Sequence, residues 1–179
     1  MFERRLAAAA SAASFVWLAC AAAQEGPGLG VPATPEQVAG WDVSIGPDGA
    51  GLPPGSGTAA SGKTVYEAKC VACHGVDGKG QPNDQLVGGQ GTLKDAAPVR
   101  TLGSYWPYAT TVFDYVRRAM PYVAPHSLTA DETYALTAYL LALNGVIEQD
   151  AVLDPTTLPQ VVMPNRDSFD SAYREPRRR

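Results

Sequence analysis

Cysteine, two intervening residues, cysteine and histidine stand together in CVACH, residues 70–74 of a 179-residue chain. The whole sequence has three cysteines and two histidines, so three of those five side chains fall in this one pentapeptide. Zinc would need a fourth ligand and usually a second pair at matching spacing, and beyond Cys70, Cys73 and His74 the chain offers only His126. A thioredoxin-like redox pair would need a βαβ surround, which the helical pattern described below does not provide. Covalent attachment of haem through C-x-x-C-H fits all three residues. On one helical turn, thiols three residues apart can reach the two vinyl groups of the porphyrin. The adjacent histidine then lies under the iron as its proximal ligand.

That iron has a sixth position, and methionine is the usual partner of histidine in electron carriers. Met1 would leave with the N-terminal segment, so the candidates are Met120 and Met163. Met120 stands in RRAMPY, where Pro121 stiffens the backbone of a loop that can swing over the haem face. Met163 lies further on, in VVMPN, and a methionine in either place can simply fill core. His126, six residues after Met120, is the candidate for a bis-histidine iron. An open sixth position would instead mean a haem sensor or enzyme.

Short helices must position these groups. In SGKTVYEAKCVACH, Val65, Tyr66, Ala68 and Cys70 have the spacing of an amphipathic helix. A second helix is expected around Trp106 to Arg118, with Ala109, Val112, Phe113 and Val116 on one face. The third has the clearest signal, LTADETYALTAYLLALNG. Thr129 and Glu132 form a capping box, Leu136, Tyr139, Leu140 and Leu143 share a face, and Gly145 suits a left-handed C-cap. Residues 75–104 are loop chemistry rich in glycine. The expected fold class is all-α, with three or four short helices.

The flanks differ in kind. Residues 1–23 have Arg4 and Arg5, then an apolar alanine-rich run ending in Ala21, Ala22 and Ala23, the layout of a cleaved secretory signal. Export to the periplasm with no membrane span after cleavage is the expectation. Retention of the run as an anchor is the alternative, and Cys20, in WLAC, faintly resembles a lipid-attachment site. Residues 24–60 form a Gly/Pro-rich arm with one short helix expected at TPEQVAGW, capped by Thr34. Trp41, Val43, Ile45 and Leu52 in this arm call for packing against the domain or a partner. A haem-binding domain is expected over residues 61–146 and an extension with a basic tail over 147–179. The net charge of −4 argues against nucleic acid as a partner.

Gly62, Tyr66 and Cys70 at four-residue steps, with Tyr139 on the last helix, resemble the class I cytochromes c. In that family the glycine lets the first and last helices approach closely while the two aromatics pack across the crossing. More narrowly, TPEQVAGWDVSIGPDGAGLPPGSGT, GSYWPYATTVFDYVRRAMP and MPNRDSF resemble the monohaem cytochrome subunits of periplasmic sulfite dehydrogenases and the haem subunit of bacterial sulfane dehydrogenase. The resemblance runs from Thr34 to Phe169. It implies one covalent haem c and a molybdenum-cofactor subunit that oxidises the sulfur compound. The cytochrome would take electrons singly and pass them to a downstream cytochrome or oxidase. Sulfane dehydrogenase subunits of this type carry a second haem domain, and the single CxxCH here favours the sulfite type. The resemblance also gives the arm a role in wrapping a partner, against the alternative that it covers its own domain. Trp106, Tyr108, Arg117 and Arg118 precede Met120 and can line the haem crevice, with Trp106 and Arg117 as donors to propionates. At least one of the two arginines is expected on a solvated face. On this reading the chain is no catalyst alone. A free electron shuttle without a dedicated partner is the other reading.

Overall fold

The computed structural model describes residues 29–169; the expected signal segment, Cys20 and the basic tail lie outside them. The chain divides into two units, one up to Val38 and one from Ala39 onward. At their junction lies α1, Pro35–Trp41, none of whose residues is buried. Its start is the expected one. The Thr34 side chain accepts from the Gln37 N–H at 3.3 Å, and the Gln37 side chain accepts from the Thr34 N–H at 2.8 Å.

The second unit is helical except for one antiparallel pair of two-residue strands, β1 Gly57–Thr58 and β2 Val152–Leu153. Helix α2, Ala59–Lys69, begins two residues before the Ser61 at which the helical pattern becomes visible. Thr58 caps it, with Ser61 closing the capping box, a pair whose threonine sits inside what reads as arm. A break at Cys70 separates α2 from α3, Val71–His74. Helix α4, Ala109–Ala119, starts later than Trp106 because Pro107 drives the residue before it out of helical geometry. Helix α5, Ala130–Leu143, has the expected Thr129–Glu132 box, and Gly145 follows it at φ +68.

Helices α2 and α5 cross at glycine. A Cβ on Gly62 would overlap the carbonyl of Ala135 and come within 2.8 Å of the Tyr139 Cβ. One turn later, the Tyr66 and Tyr139 rings pack with centroids 5.4 Å apart. The Lys69 ammonium meets the Glu132 carboxylate at 2.6 Å and links the end of α2 to the start of α5. This pairing, together with the Thr129 N–H, holds the Glu132 carboxyl below its ordinary value.

Helix α5 is buried on every side, from Thr133 through Ala142. The single apolar face read from its sequence accounts for one flank, where Leu136, Tyr139 and Leu140 pack with Tyr66, Leu102, Val112, Val116 and Leu128. On the other flank, Tyr134, Ala138 and Leu141 pack with Phe113, and the chain's own flanking segments cover them: Ile45 from the arm, and Leu153, Leu158 and Met163 from the extension. Each such aliphatic residue contributes about 2 kcal/mol by leaving water.

Polar ties hold the arm in place. The buried Asp114 carboxylate accepts from the Ile45 N–H at 3.1 Å and from the Arg118 Nε at 3.0 Å. The Tyr134 hydroxyl donates to the Pro53 carbonyl at 2.9 Å. The Thr110 hydroxyl donates to the Pro47 carbonyl at 3.2 Å. Ile45 and Leu52 thus pack as their apolarity demands, whereas Trp41 stays 88% exposed.

Gly62→Ala is expected to destabilise the protein by about 2 kcal/mol or more, because backbone rather than a side chain meets the new methyl. Helix propensity alone would make the same change stabilising by about 1 kcal/mol. Urea unfolding of the variant therefore gives the sign directly.

Candidate functional site

CVACH sits where α2 gives way to α3. The Cys70 N–H still bonds the Tyr66 carbonyl at 2.8 Å, and the His74 N–H bonds the Cys70 carbonyl at 3.0 Å. The turn therefore stays largely helical, with the two cysteines three residues apart along it. Cys70 is half-buried and Cys73 exposed. Burial pushes the Cys70 thiol up to about 11, the Lys69 charge opposing it. It behaves as part of an apolar wall.

A strap returns from His74 over residues 75–84. The Gly80 N–H bonds the His74 carbonyl at 2.8 Å, and the Asn83 N–H bonds the Cys73 carbonyl at 2.9 Å. The strap ends with the Asp84 carbonyl 3.0 Å from the His74 Nδ1. A carbonyl only accepts, so Nδ1 carries the proton and Nε2 keeps its lone pair for a metal. Beyond the strap, the Asn144 amide closes the loop onto α5. Its Nδ2 donates to the Leu86 carbonyl at 3.1 Å, and its Oδ1 accepts from the Gly88 N–H at 3.0 Å.

Met120 arrives on the same side. Val112, Val116 and Met120 follow one another at four-residue steps along α4, and Met120 ends the helix in extended geometry. It is half-buried against the Tyr66 cluster, alongside Cys70, Val71, Leu86, Trp106 and Leu143. Trp106 touches both clusters, and its ring meets that of Tyr115 at 5.6 Å. Arg117 continues the Ala109–Phe113 row of α4 and stands three residues before Met120. Arg118 is held by Asp114. Met163 is buried in the arm-side core among Phe113, Tyr134 and Leu158. His126 is exposed in a left-handed turn at φ +62.

The structure adds what sequence reading did not see. The two crossing tyrosines do more than pack, since the Tyr66 hydroxyl donates to the Gly75 carbonyl at 2.8 Å and the Tyr139 hydroxyl to the Asp77 carboxylate at 3.3 Å. Nothing in the tyrosine spacing marks those partners. For Asn144 the sequence shows only a helix end, and for Asp114 only an i, i+4 spacing to Arg118.

This donor set fits a covalent haem: two thiols on one turn, an imidazole with its outer nitrogen engaged, a thioether on the same cluster, and half-buried apolar side chains around them. Among the described residues no group of three His, Cys, Asp or Glu side chains is placed to hold a bare metal ion.

The fold and these groups define a small haem-carrying electron-transfer protein. The cytochrome c family model matches residues 59–144, and the chain belongs to the class I cytochromes c, whose cofactor is covalently bound haem c. A chain of the sulfane dehydrogenase SoxCD from Paracoccus pantotrophus is similar in structure, with a TM-score of 0.78. It is 47% identical, and the match covers 80% of this chain and 71% of that one. No curated protein matches.

Tyr66 and Tyr134 are both pushed up to about 12 from an ordinary 10.0, by burial first. The unfolded chain therefore ionises them before the folded one does. The stability tied to the neutral phenols is complete below about pH 10 and is lost as pH rises towards about 12. Melting temperatures measured across that window should fall, and Tyr134→Phe should make the fall shallower.

Proposed function

We propose that this chain is the periplasmic, electron-accepting subunit of a molybdenum-containing sulfite dehydrogenase, with one haem c. Cys70 and Cys73 form the thioethers, His74 is the proximal ligand and Met120 the distal one. Bound there, the cofactor supplies a one-electron iron centre. The protein's own groups hold and shield it. The Asp84 carbonyl orients His74, the end of α4 presents Met120, and Leu86, Val71 and Trp106 keep water from the face they line.

The observation that carries the ligand assignment is that Met120 and Cys70 lie on one cluster, while Met163 is buried in the other. The reading as a subunit rests on the 47% identity to a chain of SoxCD. That match also favours a second reading, with a sulfane compound as the upstream substrate. The arm, α4 and MPNRDSF motifs resemble the haem subunits of both enzymes and support a subunit role, and the single CxxCH of the sequence supports the sulfite reading. Two side chains near the ligands, Tyr122 at 84% and Val76 at 70% exposure, give a partner apolar surface close to the iron. Electrons leave to a downstream cytochrome or oxidase. Among the described residues no helix is long and apolar enough to cross a membrane.

Purification from the periplasm under mild conditions, followed by iron and molybdenum analysis, tests the subunit reading. Near-equal molybdenum and iron in one peak, with haem reduction on adding sulfite, is the expected result. Reduction only by a sulfane donor would move the substrate assignment. No molybdenum and no reduction would leave a free electron shuttle.

The reduced wild-type protein should bind carbon monoxide weakly and Met120→Ala strongly. Strong binding by the wild type would indicate an open sixth position and a sensor or enzyme.

A further inference from the structure

We propose that the hydroxyls of Tyr66 and Tyr139 are positioning groups for His74, acting through the strap that follows it; this rests on His74 being the proximal ligand. The strap needs such ties. Five of its first seven residues have positive φ: Gly75 at 73, Asp77 at 53, Gly78 at 68, Gly80 at 91 and Gln81 at 78. Asp77 and Gln81 have a Cβ, and backbone of this kind persists only where surrounding contacts over-determine it.

Within the strap, its own hydrogen bonds run back to the carbonyls of Cys73 and His74. The helices add two more ties, one at each of the residues where the strap begins its left-handed path. Tyr66, 1% exposed on α2, holds the Gly75 carbonyl, and Tyr139, 6% exposed on α5, holds the Asp77 carboxylate. The far end of the strap is the Asp84 carbonyl that accepts the His74 Nδ1–H. The same segment is therefore fastened to the helix crossing at one end and to the ligand's ring at the other.

The chemical consequence follows from that second attachment. A firm Nδ1–H···O=C bond makes the imidazole a better donor to iron and favours the oxidised state. Loosening the strap weakens this bond, so the iron becomes easier to reduce and the midpoint potential rises. A purely structural role for the hydroxyls, satisfying buried O–H groups, would change stability and leave the ring and the potential alone.

The test uses the full-length haem-loaded protein. Tyr66→Phe, Tyr139→Phe and the double variant keep the ring packing and remove only hydroxyls, with Tyr105→Phe as control. Two readouts are needed: the solvent exchange rate of the His74 Nδ1 proton by NMR, and the midpoint potential. Exchange about fivefold faster in Tyr66→Phe, as loss of one hydrogen bond gives, with a raised potential and a larger effect in the double variant, is the expected result. If Tyr66→Phe does not yield folded protein, Tyr139→Phe carries the same comparison. Unchanged exchange and potential in the folded variants, with the His74 resonances intact, would overturn the proposal. Absence of any iron-shifted His74 resonance in the wild type would instead overturn the ligand assignment itself, and the proposal with it.

Discussion

The close approach of two backbones at Gly62 and Ala135 is the constraint on which the rest of this structure depends. Because no side chain intervenes there, α2 and α5 come near enough for Tyr66 and Tyr139 to stack a turn later. That contact fixes where α2 ends, and CVACH begins at its end. The site is thus placed by a helix crossing some eight residues away in sequence. Lys69 and Glu132 add a second, more exposed link across the same pair. An exposed ion pair of this kind contributes about 1 kcal/mol at most, so the glycine and the aromatics dominate.

The second organising feature is that α5 lies between two apolar clusters rather than on one. Toward the site it presents Leu136, Tyr139 and Leu140, and away from it Tyr134, Ala138 and Leu141. Segments from both flanks of the chain cover the second face, with the β1–β2 pair joining them. Asp114 ties the arm to α4, the helix that ends in Met120. Arm, extension and the loop that begins at Met120 are therefore parts of one packed body from Ala39 onward.

Much of this is legible in the sequence, and the reasons are local. Capping boxes, helical spacing and a glycine after a helix depend on neighbours in the chain, so Thr129, Glu132 and Gly145 could be read directly, and the Gly62–Tyr66–Cys70 row followed from the family resemblance. What could not be read depends on residues far apart. The burial of α5 on all sides comes from Ile45, Leu153, Leu158 and Met163, whose segments have no helical or strand period. Between the candidates for the sixth ligand, sequence distance was no guide. Packing sets Met120 beside Cys70 and Met163 in the arm-side core, while His126 is exposed. The start of α4 moved because the effect of Pro107 on Trp106 outweighs the apolar pattern.

What the chain does follows from a narrow set of groups: two thiols on one turn, one imidazole held by a carbonyl, and the Met120 thioether on the same apolar cluster as Cys70. X-ray absorption at the iron edge of the oxidised, haem-loaded protein tests this most directly. One sulfur and five nitrogens at iron are expected. Six nitrogens would contradict this ligand set by pointing to His126, and a five-coordinate iron would contradict it by leaving Met120 without its role.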